Sequence, residues 1–101
     1  MKLISFNVNG IRASVKKGLV DSLRTMDADI YCFQETKATP DQVGTALQDL
    51  VGYHVHAHGA AKLGYSGTAI ASKVKPVKVE YGIPNGEEHN SEGRVITATF
   101  K

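Results

Sequence analysis

Two apolar runs flanking one amphipathic stretch, all within the first 35 residues, restrict this chain more than any other feature. Residues 2–8 read as a strand that Asn9-Gly10 ends, because both residue types readily take the positive φ of a sharp turn. Val15, Leu19, Leu23 and Met26 then keep the three-to-four-residue spacing of a core-facing stripe, which predicts one helix whose first half Gly18 weakens. Residues 30–34 read as a second strand. Strand, helix and strand over so short a span make a βαβ unit, so the two strands run parallel and the crossover is right-handed. Their carboxyl ends lie side by side, which is where open α/β sheets hold ligands. Asn7, Asn9 and Glu35 fall at that edge.

The alternation continues. Thr39-Pro40-Asp41-Gln42 is a helix start, with Thr39 as N-cap, Pro40 at the first helical position and Gln42 reaching back, and the helix is predicted to run to about residue 51. Residues 53–58, 68–72, 77–81 and 94–100 read as further strands. Two Gly-rich loops, 59–67 and 82–93, are long enough to be functional connections instead of minimal turns. A length of 101 residues with 42% hydrophobic and 22% charged residues fits one small globular domain and excludes the disordered and membrane classes. The formal charge of +2 gives only weak support for a polyanionic partner, so the sites must decide. Cys32 is the single cysteine; it sits in an apolar run and implies a buried thiol in a reducing compartment, with the cytoplasm expected. No window approaches a membrane span and the N-terminus is too short in apolar length for a signal peptide, so no membrane is expected.

Four motifs occur in order: N7-V-N-G-I-R-A13, Q34-E-T-K37, G64-Y-S-G-T-A-I70 followed by Ser72-Lys73, and E92-G-R-V-I96. In order and spacing the chain resembles the N-terminal part of exonuclease III, in the AP endonuclease family of the endonuclease/exonuclease/phosphatase superfamily, over essentially all 101 residues. The resemblance implies an α/β fold, the N-terminal half of a four-layer DNase I-like α/β sandwich with a mixed sheet flanked by helices. Residues 1–101 would then be a partial domain. Phe6 stands where such enzymes usually have Trp, and neither Gly-Asp-x-Asn nor Ser-Asp-His occurs in the sequence.

The resemblance also implies the site. Glu35 matches the metal-binding glutamate, with Mg²⁺ expected and Mn²⁺ as the alternative ion, and Asn7 matches an asparagine of the catalytic and metal-binding cluster. Arg12, Lys37, Gly64, Tyr65 and Arg94 match DNA-backbone contacts, with double-stranded DNA and abasic sites as partners. The implied function is DNA repair phosphodiesterase, a Mg²⁺-dependent 3′–5′ exodeoxyribonuclease and abasic-site endonuclease. Lacking the later motifs, the 101-residue chain alone is expected to be inactive. Two alternatives stay open: a noncatalytic DNA-binding or assembly module, and another superfamily phosphoesterase acting on lipid or inositol phosphate.

Residue chemistry alone reads several of these positions more plainly. Glu35 also fits a solvated strand-end charge or a loop cap, Asn9 fits a turn asparagine, and any single Lys or Arg fits a solvated surface charge. Lys16 and Lys17 receive no role beyond electrostatic help on what should be a helix's first turn. His54, His56 and His58 would share one strand face, where ligands spread over about 13 Å suit packing or solvation better than tetrahedral zinc. His89 is read as a loop residue that does not inherit a catalytic role. Cys32 is read as an inert core thiol. Because strand residues 30–33 point apolar groups to both sides while the two predicted helices cover one, the other face is expected to be open and to promote self-association.

Overall fold

In the computed structural model, β1 (Leu3–Asn7) and β2 (Ile30–Gln34) pair in parallel with Leu3 opposite Ile30 and Asn7 opposite Gln34, the register that the βαβ spacing requires. The structure describes the backbone of all 101 residues and every side chain except those of residues 88 and 89, so the reading of His89 as a site residue or otherwise lies outside the described side chains.

The crossover is two helices instead of one, α1 (Ile11–Lys16) and α2 (Leu19–Met26), broken where Gly18 takes a left-handed φ of 96°. The predicted stripe still faces inward: Leu23 is fully buried, and Val15, Leu19 and Met26 pack on the core. The break moves Lys16 from a first turn to the last turn of α1, and Lys17 becomes its C-cap. α3 (Pro40–Ala46) starts as expected, with Thr39 Oγ1 accepting the Gln42 N–H and Gln42 Oε1 accepting the Thr39 N–H. It stops at Ala46, short of residue 51. Tighter bonds from Gln48 N–H to Thr45 and from Leu50 N–H to Leu47 close the helix there, and they bury Leu47 and Leu50 in the same core.

β3 (His54–His58) and β4 (Thr68–Ser72) complete a four-stranded sheet of order β1-β2-β4-β3, in which β4 is antiparallel to both neighbours. The sheet is thus mixed and flanked by helices, the expected α/β class. Its helix-covered face carries Phe6, Tyr31, Phe33, Ala69 and Ala71, with the Phe6 and Phe33 rings edge-on at 5.3 Å. Burying such side chains stabilises by roughly 1.5–3 kcal/mol each for the larger ones.

The opposite face is less bare than the sequence suggests. β5 (Lys78–Tyr81) and β6 (Ile96–Thr99) pair only with each other, as an antiparallel ribbon with the short helix α4 (Glu87–Asn90) between them. The ribbon lies over the β4 side: β6 contacts β4, the Tyr81 ring is 5.7 Å from that of His58, and Phe100 borders Ile30. Ile30 and Ile70 are consequently 8% exposed. The β1 side stays open, where Leu3 is 57% exposed. Among the described residues no helix is long and apolar enough to cross a membrane.

Candidate active site

Asn7 ends β1 and Glu35 follows β2, so parallel pairing brings them together from positions 28 apart in sequence. The Asn7 amide does two jobs. Its Oδ1 accepts the Asn9 N–H at 2.8 Å, closing the turn after β1, and its Nδ2 donates to Glu35 Oε2. The turn role that residue chemistry gave to Asn9 is thus shared with Asn7, whose donor half is free to hold the carboxylate. Glu35 Oε1 faces Lys37 Nζ at 3.9 Å, and Lys37 Nζ also donates to Asn9 Oδ1 at 2.6 Å. Both partners of this ion pair are about half exposed, with side-chain accessibilities of 38% and 46%, so the pair is worth at most about 1 kcal/mol. The carboxylate is oriented but accessible.

All seven residues singled out from the sequence line three adjoining clefts at this end of the sheet. Asn7, Glu35 and Arg94 border one of about 230 Å³, with Ser66 and Gly67 in its wall. Tyr65 and Arg94 border a second of about 290 Å³, and Arg12, Lys37 and Gly64 a third of about 460 Å³. The three communicate through shared residues and contacts: Arg94 and Ser66 line the first two, and the Glu35–Lys37 pair joins the first to the third. Arg12 Nη2 donates to the Lys37 carbonyl at 3.2 Å, tying α1 to the Gln34–Lys37 segment, and Arg94 pairs with Glu92. Tyr65, 55% exposed, stacks under Lys62 Nζ at 4.2 Å. Glu35 is thus ringed by solvent-facing cations, one of which, Arg94, also pairs with the Glu92 carboxylate, an arrangement complementary to a phosphodiester chain beside a hard metal ion.

Backbone geometry holds this centre. Glu35 and Lys37 have φ of 53° and 51°, left-handed values that non-glycine residues rarely take, and they flank fully buried Thr36. Four interloop bonds fix the segment. Gly10 and Ile11 N–H donate to the carbonyls of Glu35 and Thr36, and Thr36 and Lys37 N–H donate to those of Gly67 and Ser66. Sequence reading missed Thr36, Ser66 and Gly67 as site-shaping residues. The signal was the Ser66-Gly67 pair inside the third motif, which marks a turn that could close on a neighbouring loop.

Other titratable groups take packing roles. His54, His56 and His58 do share a face; His58 Nε2 lies 3.0 Å from the Asn90 carbonyl, and burial together with His54 and Lys75 lowers the His56 pKa. Burial raises that of half-buried Cys32, which keeps it a thiol. Among the described residues no three His, Cys, Asp or Glu side chains gather to hold a metal ion. Glu35 therefore offers a single hard oxygen donor beside an amide. That set fits an ion such as Mg²⁺, which keeps most of its water and takes phosphate oxygens.

Residues 4–99 match the Endonuclease/Exonuclease/phosphatase family, and the chain belongs to it. More particularly, it is 52% identical over its whole length to an exodeoxyribonuclease of Bacillus subtilis (strain 168), and 46% identical over 99% of its length to DNA repair nuclease APEX1 of Danio rerio. It spans 39% and 33% of those two proteins. Among solved structures, an AP endonuclease from Archaeoglobus fulgidus superposes with a TM-score of 0.82 at 33% identity, covering 97% of this chain and 36% of that one. The 3′ phosphatase NExo from Neisseria, bound to product DNA hairpin, gives 0.79 at 30% identity, covering 99% and 37%. The chain is thus homologous to exodeoxyribonucleases and AP endonucleases of DNA repair.

Proposed function

We propose that this chain is the metal- and phosphate-binding part of a Mg²⁺-dependent DNA phosphodiesterase with 3′–5′ exonuclease and abasic-site endonuclease activity. The observation that carries the reading is the Asn7–Glu35 pair at the strand ends, ringed by Arg12, Lys37, Tyr65 and Arg94. Glu35 would hold Mg²⁺, or Mn²⁺ in its place, with Asn7 orienting the carboxylate and offering its remaining amide lone pair. When bound, the ion supplies electrostatic stabilisation of charge developing on phosphate. Arg12, Lys37 and Arg94 pair with phosphate oxygens and set the register of the duplex, while Gly64 and Tyr65 let the strand come close.

Among the described residues, Glu35 is the one carboxylate lining the cleft it shares with Asn7 and Arg94, and no histidine lines it. No second described group is placed there to take a proton from attacking water, so the chain alone is expected to bind DNA without cleaving it. That observation favours a second reading for the isolated chain, a noncatalytic DNA-binding module. In a full-length protein carrying this segment, Glu35→Gln should lower nuclease activity and move the Mg²⁺ titration to at least about tenfold higher concentration. An unchanged titration refutes the metal assignment, and magnesium-dependent nicking by the purified 101-residue chain refutes the module reading.

A further inference from the structure

We propose that Gly67 is a positioning residue for Glu35: it is the one residue of the neighbouring loop that lets the Glu35–Lys37 segment close, and any side chain there dislodges the carboxylate. The proposal rests on Glu35 being the metal ligand. Gly67 has a φ of 90°, and a Cβ built on it would lie 2.3 Å from Thr36 Oγ1, 3.5 Å from the Lys37 nitrogen and 3.6 Å from the His58 carbonyl oxygen. Only the Thr36 contact is a clash, and the backbone on both sides of that residue is fixed. Thr36 is fully buried, its N–H donates to the Gly67 carbonyl at 3.1 Å, and its carbonyl accepts the Ile11 N–H at 3.0 Å. Thr36 Oγ1 has no hydrogen-bond partner of its own, so the hydroxyl is held by close packing alone.

A methyl group at position 67 must therefore push Thr36 away from the turn. Glu35 and Lys37 flank Thr36 in strained left-handed conformations maintained by the same interloop bonds, so the displacement passes directly to them. Relaxation of φ at Glu35 swings its side chain away from Asn7 Nδ2, and the carboxylate loses its orienting donor. Metal affinity then falls although no ligand has been changed.

The test uses the 101-residue chain and reads two signals. The ¹⁵N–¹H₂ resonances of the Asn7 side chain report its bond to Glu35, and their broadening by Mn²⁺ reports the metal. In Gly67→Ala the Asn7 shift should move towards that of Glu35→Ala, which lacks the acceptor, and the Mn²⁺ Kd should rise about tenfold. Thr36→Ala, which deletes an unpartnered hydroxyl, should leave the Asn7 shift in place. Gly67→Ala combined with Thr36→Ala should move it back towards the wild-type position by removing the clash, leaving only the strain of an alanine at φ 90°, and general destabilisation would not produce such a recovery. A folded Gly67→Ala that keeps the wild-type shift and Mn²⁺ affinity overturns the proposal. So does a double variant whose Asn7 shift is no nearer the wild-type position than that of Gly67→Ala, because the Thr36 contact would then not be what the glycine avoids. Failure of Mn²⁺ to broaden Asn7 in the wild-type chain refutes the metal reading instead, whatever the variants do to the hydrogen bond.

Discussion

Tyr31 is the place where one atom decides whether the βαβ unit keeps its shape. Its ring is fully buried between those of Phe33 and Tyr53, and its hydroxyl donates to the Leu23 carbonyl while accepting the Ala28 N–H at 3.0 Å. Those two backbone groups lie at the end of α2, where Asp27 turns left-handed with a φ of 49° and the chain reverses into β2. Tyr31→Phe preserves the ring packing and removes only the hydroxyl. It leaves the Ala28 N–H buried without its partner, at a cost of about 1–3 kcal/mol, whereas the Leu23 carbonyl still accepts the Asp27 N–H at 3.0 Å. The expected loss is about 2 kcal/mol. For a domain of this size that corresponds to a fall in Tm of about 8–16 °C. Urea unfolding followed by circular dichroism measures it, with the slope m compared between the proteins so that a change in denatured-state compactness is recognised. A loss below about 1 kcal/mol at unchanged m would refute the reasoning, since water or a shifted turn would then be satisfying the Ala28 N–H.

Three further outcomes are expected. Because the folded state holds the His56 pKa below its ordinary 6.5, the unfolded chain takes up the proton more readily. His56 therefore contributes stability above about pH 6.5 that is lost as the pH falls through its depressed pKa, and His56→Gln should flatten this part of the stability–pH curve; an identical slope in the variant counts against it. Arg12→Ala and Arg94→Ala should each weaken binding to all duplex sequences about equally and reduce the salt slope by about one, and equal slopes for wild type and variants would reject phosphate contact. The open β1 side, with Leu3 57% exposed on an edge strand, should make the chain self-associate as concentration rises in sedimentation, and Leu3→Lys should keep it monomeric. A wild-type chain that is strictly monomeric at high concentration would show that the ribbon covers enough of that face.

What was legible in the sequence followed from local rules that agree with the global fold. The parallel pairing of β1 with β2 came from strand and helix spacing, and the start of α3 came from a Thr-Pro-Asp-Gln capping pattern that the structure realises bond for bond. Less legible features depended on contacts distant in sequence. The ribbon of β5 and β6 could be read as two strands, but nothing local says that they pair with each other and lie across β4 instead of joining the main sheet. The clamp on Thr36 was hidden for the same reason: Gly67 looks like an ordinary turn glycine until the chain places it 31 residues away against a threonine. The helix break at Gly18 was visible as a weakness, yet a propensity cost of roughly 1 kcal/mol does not by itself say whether a helix bends or stops.

Local rules fail most densely at one place. Of the six described non-glycine residues with positive φ, four (Asn9, Glu35, Lys37 and Ser66) lie within the cleft walls or in direct contact with Glu35 or its flanking segment. Conformations of this kind cost of order 1 kcal/mol or more each and persist only where surroundings overdetermine them. Here the surroundings are the β1–α1 turn on one side and the Ser66-Gly67 turn on the other, both bonded to the segment between. A solvated strand-end glutamate needs no such support, since water satisfies it in any conformation. A carboxylate that must meet a metal ion and a phosphate at fixed positions does, because the strain is then offset by an orientation set before the ligand arrives. The concentration of unfavourable φ values around Glu35 therefore weighs against the solvated-charge reading more than the carboxylate's exposure weighs for it.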